Sequence, residues 1–247
     1  MEEEDDSSAL QKLLKDNQID DSAKIDSKYT MHLDPKSNNK GVSDFLKAAK
    51  GKKIGKLKKF SLFYTQNMKE DGLTNMASFI NSAQITDLQI LYLHGGDKAK
   101  FTSFDKTAVK NLWKAVTNQV YIDTFTLEEA DIKNILENWV KAKEIWLINC
   151  KVANLSSKFE INLKDKPTVQ TLDLYYSLLK DNKEYIDETK FKQLISAISK
   201  SSFKLSLKKI HYHEFDYPKQ ELEDIVKESD LKALKIVGDE NEPEVLE

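Results

Sequence analysis

Residues 142–152 read AKEIWLINCKV. Apolar side chains fall at Ala142, Ile145 and Leu147, the only cysteine of the chain at Cys150, and a last apolar residue at Val152. The spacing is hydrophobic-x-x-hydrophobic-x-hydrophobic-x-x-small-x-hydrophobic. It recurs before the opening stretch at Leu57, Phe60, Leu62 and Thr65 (Asn67 completes it weakly), then at Leu88, Leu91, Leu93 and Gly96. The next copy is Ile122, Phe125, Leu127, Ala130 and Ile132. After the opening stretch come Val169, Leu172, Leu174, Ser177 and Leu179; Leu207, Ile210, Tyr212, Phe215 and Tyr217; and Leu231, Leu234, Ile236 and Asp239. Seven copies in order share the first three positions and five carry a small residue at the fourth, which chance does not readily supply.

Between the copies the period changes from two to that of a helix. Leu73, Met76, Ala77 and Ile80 stand at i, i+3, i+4, i+7, as do Val109, Leu112, Trp113 and Val116, and Ile132, Ile135, Leu136 and Trp139. Phe191, Leu194, Ile195 and Ile198 repeat the stripe, and Leu222, Ile225 and Val226 carry a shorter one. Asp71, Asp105, Asp131 and Asp187 sit near the expected helix starts, where a carboxylate suits the exposed amides, and Pro218 suits a first turn. Each unit is thus a short strand followed by a helix. Neither element buries its apolar side alone, so neighbouring units must stack.

On these residues the chain resembles the leucine-rich repeat proteins, in their ribonuclease-inhibitor-like subclass with a helix in every repeat. AKEIWLINCKV is the copy most similar to the family pattern L-x-x-L-x-L-x-x-[N/C]-x-L. The resemblance covers about residues 57 to 240. It implies an α/β fold: a solenoid, or horseshoe, with a parallel sheet on its concave face and helices on the convex one. The pattern is specific for fold and says little of function. Copy intervals run from 20 residues (122 to 142) to 38 (169 to 207), and the family's Asn or Cys occurs in one copy of seven. Residues 153–168 have no helical stripe, since Phe159, Ile161 and Leu163 alternate instead. The expectation is an irregular horseshoe with one non-helical connection.

Four segments follow: an acidic, mobile N-terminus over 1–7, an N-terminal cap over 8–56, the repeats over 57–240, and an acidic tail over 241–247. Within the cap, Leu10, Leu13 and Leu14 suggest a short helix, Tyr29, Met31 and Leu33 a strand, and Phe45, Leu46 and Ala49 a helix after Ser43. At 247 residues and 40% hydrophobic the chain can bury a sizeable core. Its apolar runs are too short to span a bilayer, and an N-terminus of MEEEDD is the opposite of a signal peptide. One cysteine fits a reducing compartment. The expected location is cytoplasmic; where the family is common adds a cytoskeletal or ciliary assembly. Net charge is −3 and all 38 basic residues are lysine, so the bidentate fork that reads guanine or serves as an arginine finger is absent.

Strand side chains alternate, so residues between the template positions face away from the helices. These are Lys59, Ser61 and Phe63; Ile90, Tyr92 and His94; Thr124, Thr126 and Glu128; Glu144, Trp146 and Ile148. Further along come Thr171, Asp173 and Tyr175; Lys209, His211 and His213; Ala233, Lys235 and Val237. Phe63, Tyr92, Trp146 and Tyr175 make an exposed aromatic track suited to gripping a partner unless loops or the cap cover it. The partner-binding candidates are Phe63, Tyr92, His94, Trp146, Ile148, Asp173, Tyr175, His211 and His213. His211 and His213 project together, but no third metal ligand stands at useful spacing, so no metal is expected. Cys150 reads as a small buried hydrophobe, not a nucleophile, and Trp113 and Trp139 as core.

The lysines at Lys50, Lys52, Lys53, Lys56, Lys58 and Lys59 form the one strong basic run: an anionic-partner patch or a solvated helix end. Gly95–Gly96 is too short for a phosphate loop, and no catalytic signature or cofactor motif is found. The expectation is a non-enzymatic scaffold, or a constitutive subunit of an intracellular assembly, that binds another protein on its concave face. Two other readings stand beside it. One is a GTPase-activating regulator, a role some members of the subclass have. The other is a component of an RNA-containing particle, contacted through the lysine run.

Overall fold

The opening stretch forms a strand over Glu144–Ile148 in the computed structural model, its side chains alternating half-buried and buried. The structure describes residues 15–16, 23–27, 30–33, 39–48, 59–62, 88–96, 100–101, 116–139, 141–213 and 216–239. The described strands are β1 (Ala23–Ser27), β2 (Thr30–Leu33), β3 (Lys59–Leu62), β4 (Leu88–His94), β5 (Val116–Asp123), β6 (Thr126–Leu127), β7 (Glu144–Ile148), β8 (Lys151–Val152), β9 (Thr171–Asp173), β10 (Lys209–His213) and β11 (Lys235–Asp239). The described helices are α1 (Asn39–Ala48), α2 (Glu129–Asn138), α3 (Glu188–Lys200) and α4 (Lys219–Glu228), with a 3-10 turn at Ser202–Leu205.

Nine strands form one sheet in the order β1-β2-β3-β4-β5-β7-β9-β10-β11, and β6 and β8 form a second, two-stranded sheet. Every neighbouring pair is parallel except β1 with β2. Neighbours in the large sheet follow chain order, with no reversal of the kind that marks a doubly wound sheet. The fold is α/β. Strand β2, within the segment expected to cap the repeats, pairs directly with β3, so the sheet continues into that segment. Helix α1 starts at Asn39, four residues ahead of the expected Ser43, and an i, i+4 pair between Lys40 and Asp44 spans its first turns.

Strand register revises two of the seven copies. Val120 pairs with Ile145 and Ile122 with Leu147, so β5 matches the opening stretch five residues earlier than the template placed it. Ile236 pairs with Ile210, which moves the last copy by two. The slip at β5 arose because Phe125 and Leu127, just past the strand, are also fully buried and satisfy the same apolar spacing. An odd slip exchanges the two faces and an even one does not. Thr124, Thr126 and Glu128 therefore lie beyond β5, and its residues facing away from the helices are Gln119, Tyr121 and Asp123. Lys235 and Val237 stay on the expected face, while Ala233 precedes β11. Val116, expected to end a helical stripe, opens β5 instead.

One face of the sheet makes the core. Val120, Ile122, Ile145, Leu147, Leu172, Leu174, Ile210, Tyr212 and Ile236 are buried in one apolar cluster with the stripes of three helices. Those stripes are Ile132, Ile135 and Leu136 on α2, Phe191, Leu194, Ile195 and Ile198 on α3, and Leu222, Ile225 and Val226 on α4. Each large side chain so buried contributes on the order of 1.5–3 kcal/mol. The helix starts follow the carboxylates. Asp187 accepts the Lys190 N–H at 3.0 Å, and Asp131 accepts the Glu128 N–H at 2.8 Å. Trp139 is fully buried just after α2.

Residues 153–168 hold no helix. Phe159 and Ile161 turn into the core, and two carboxylates of α2 hold the passing backbone: Glu129 accepts from the Ser156 N–H at 2.5 Å and Glu137 from the Asn162 N–H at 2.6 Å. The expected helices over 73–80 and 109–115, the short helix at Leu10–Leu14, Leu57, Tyr29, Trp113, Asp71, Asp105, the acidic segment 1–7 and residues 240–247 lie outside the described residues. Asp239 ends β11.

The turn that leaves each strand is built alike in three successive units. Thr124, Asn149 and Tyr176 all take left-handed backbone, at φ 56°, 48° and 52°. At this corner the N–H of Thr124 donates to the Ile148 carbonyl and that of Asn149 to the Tyr175 carbonyl, each at 2.9 Å. Side chains repeat the pattern inside the turn. The Cys150 thiol donates to the Ile122 carbonyl at 3.3 Å, and the Ser177 hydroxyl donates to the Leu147 carbonyl at 2.8 Å. Ile122 and Leu147 are register partners, so both bonds run from one unit to the same place in the unit before. Ser177 also accepts the Cys150 N–H at 2.8 Å. Gly95 is packing, not a phosphate loop: a Cβ there would meet the Phe125 ring and the Thr124 carbonyl at 2.7 Å.

Candidate functional site: the open face of the sheet

Turning each strand over exposes a second set of residues in register. Across the sheet these are Ser61, Tyr92, Tyr121, Trp146, Asp173, His211 and Val237, one from each of β3, β4, β5, β7, β9, β10 and β11. A flanking row contains Lys59, Ile90, Gln119, Glu144, Thr171, Lys209 and Lys235. Three aromatics on adjacent strands form a ladder. Tyr92 and Tyr121 have ring centroids 5.9 Å apart, and Tyr121 stacks on Trp146 at 5.3 Å and 29° between planes. Strands lie ~4.8 Å apart, so rings at one register position on consecutive parallel strands meet at stacking distance. Such pairs are worth about 0.5–1.5 kcal/mol beyond their burial.

Polar groups lock the ladder. Glu144 Oε2 accepts from the Trp146 indole N–H at 3.1 Å and from Gln119 Nε2 at 3.0 Å. The Tyr92 hydroxyl donates to Asp123, which also faces His94 Nδ1 at 3.2 Å and accepts from Thr124 Oγ1 at 2.6 Å. Burial opposes ionisation of Asp123, but the donors from His94, Thr124 and Tyr92 outweigh it and hold its carboxyl below the usual range. Burial, with Asp123 adding to it, drives the Tyr92 phenol far up. Burial and the carboxylates of Glu144 and Asp173 push Tyr121 up to about 12. Both phenols are neutral at physiological pH.

The other histidines of this face also stand against carboxylates. His211 Nδ1 lies 3.4 Å from Asp173, and His213 Nδ1 lies 3.1 Å from Asp216. Burial raises Asp216, against the pull of His213. His213 packs on the rings of Tyr175 and Tyr176 at 5.1 and 4.5 Å. Each histidine is thereby oriented by a carboxylate, and no group of three or more potential metal ligands occurs among the described residues.

Several expected site residues are placed differently from the sequence reading. Tyr92 is 5% exposed and Tyr175 2%, so the aromatic track is not uniformly exposed. Tyr92 stands at one end of the ladder with its ring against Tyr121, and Tyr175 follows β9 and packs edge-on against Tyr176 and His213. Asp173 is also buried, its Oδ1 accepting the Tyr175 N–H at 3.0 Å. Trp146, Ile148, His94, His211 and His213 are half-buried. Tyr121, Gln119 and Asp123 join the site although the template overlooked them. Their signal was present in the alternation of Val120, Tyr121, Ile122 and Asp123.

Cys150 faces the core, and burial pushes its thiol up to about 12, which makes it a poor nucleophile. Of the lysine run, Lys59 lies on β3, half-buried, while Lys50, Lys52, Lys53, Lys56 and Lys58 lie outside the described residues, as does Phe63. No described helix is long and apolar enough to cross a membrane. No family model matches the chain, and no curated protein matches it either.

Proposed function

We propose that the chain is a non-enzymatic interaction module, an irregular leucine-rich-repeat solenoid that grips another protein through the sheet face opposite its helices. The solenoid reading is supported by sequential parallel strands, the left-handed corner repeated at Thr124, Asn149 and Tyr176, and the matching bonds from Cys150 and Ser177. The observation that carries the functional reading is the Tyr92–Tyr121–Trp146 ladder, whose outer member is an accessible indole fixed from behind by Glu144. A rigid aromatic edge loses little entropy on binding and is the usual anchor of a protein interface. The face supports binding better than catalysis, because its histidines and carboxylates hold one another and the one thiol is buried. Such a module serves as a scaffold or a constitutive subunit of a larger assembly.

The test is capture of native partners by the full chain against Trp146→Ala and Tyr121→Ala variants, with folding checked by circular dichroism. Loss of the same partners in both folded variants supports the reading. Undiminished capture by both removes the ladder from the interface.

A further inference from the structure

A second surface lies at the last units, away from the aromatic ladder. A half-open cavity of about 220 Å³ is lined by Ile198, Leu205, Leu207, Leu231, Ala233 and Leu234, with Lys204, Lys232 and Asp230 at its rim. One water needs ~10–15 Å³ measured this way, so the space takes aliphatic side chains and is not a packing flaw. Leu205 stands beside it 70% exposed, the one large hydrophobic so exposed among the described residues. The short 3-10 turn places it there: Phe203 points into the core, and the turn thrusts Leu205 outward.

The rim is basic. Lys204 and Lys232 are exposed, and Asp230 meets only Lys232, at a loose 3.8 Å with both side chains almost fully solvated. Lys200, exposed at the end of α3, is separated from the 3-10 turn by Ser201 alone. β11 is also the edge strand of the described sheet, which suits a polypeptide occupant better than a small molecule.

We infer that this groove docks an acidic polypeptide segment of a partner protein, which inserts a leucine-type anchor between Leu205 and Leu231–Leu234 while its carboxylates face Lys204 and Lys232. The apolar floor supplies affinity and the lysine rim selects charge. This surface is separate from the open sheet face, so either reading stands or falls without the other.

The experiment titrates the full chain into fluorescein-labelled peptides EDLLED, EDSSED and KKLLKK and follows anisotropy. Saturable binding is expected for EDLLED alone, weakened about tenfold by Leu205→Gln and again by Lys204→Glu with Lys232→Glu. The charge-reversed variant should gain affinity for KKLLKK, and added salt should weaken EDLLED. All three substituted side chains are exposed, so folding is not at stake. Equal binding of EDLLED and EDSSED, an unchanged Kd in Leu205→Gln, or no saturable binding at millimolar peptide overturns the proposal. So does a Leu205-dependent doubling of mass in light scattering, which makes the occupant a second copy. The chain's own residues 240–247, ENEPEVLE, are an acidic segment with an aliphatic pair. If EDLLED binds only after Val245→Ser and Leu246→Ser are introduced, the occupant is that segment and not a partner.

Discussion

Val120, Ile145, Leu172, Ile210 and Ile236 stand in register on five neighbouring strands, all of them apolar and buried beneath the helices. One residue further along each strand, on the opposite face, stand Tyr121, Trp146, Asp173, His211 and Val237. The first row is chemically uniform because every unit has the same task, to bury itself against the next. The second changes character along the sheet, from two aromatics to acidic to imidazole to aliphatic. A face free of the stacking requirement can carry specificity, and its side chains are secured by local partners such as Glu144 under Trp146. The contrast predicts that damage to the first face costs stability and damage to the second costs recognition.

The largest stability loss is expected from Ile145→Ala. It removes a fully buried side chain at the centre of the sheet and should cost about 2–5 kcal/mol in urea unfolding. Ser177→Ala comes next. It removes the buried hydroxyl bonded to the Leu147 carbonyl and the Cys150 N–H, a loss of about 1–3 kcal/mol. A smaller cost would mean that a water replaces the hydroxyl. Trp146→Ala should cost only about 1 kcal/mol, mainly the lost stack with Tyr121, yet abolish partner capture. If Ile145→Ala and Trp146→Ala destabilise alike, the distinction between the faces collapses.

The smallest effect concerns pH. The Asp123 carboxyl is held below its usual value, so its ionised form favours the folded state. That contribution is complete above the unfolded carboxylate value of about 3.9 and is lost as pH falls through the lower folded value. Asp123→Asn should therefore flatten the acid limb of a stability-versus-pH curve below about pH 4, measured by thermal unfolding. An unchanged acid limb would remove Asp123 from the account.

Much of this contrast was legible in the residues. Apolar spacing marked the core positions of β3, β4, β7, β9 and β10, the stripes of α2, α3 and α4, and the inward Cys150, because burial selects hydrophobic residues at the period of each element. Two things were hidden. In β5 the corner residues Phe125 and Leu127 are as buried as the strand, so apolar spacing alone could not fix the register, and Tyr121 went unseen. Carboxylate partnerships were hidden too, since Asp123 reaches His94 and Asp173 reaches His211 only through pairing between strands. Exposure was overestimated for Tyr92 and Tyr175 for the same reason: neighbouring units cover them.

Crosslinking and mass spectrometry of captured native complexes tests the central claim most directly, because lysines mark both sides of the molecule. Lys59, Lys209 and Lys235 lie on the open face, and Lys192 and Lys227 lie exposed on α3 and α4. The account predicts partner crosslinks at the first three, lost together in the folded Trp146→Ala and Tyr121→Ala variants. Crosslinks concentrated at Lys192 and Lys227, or unaffected by either substitution, would contradict it.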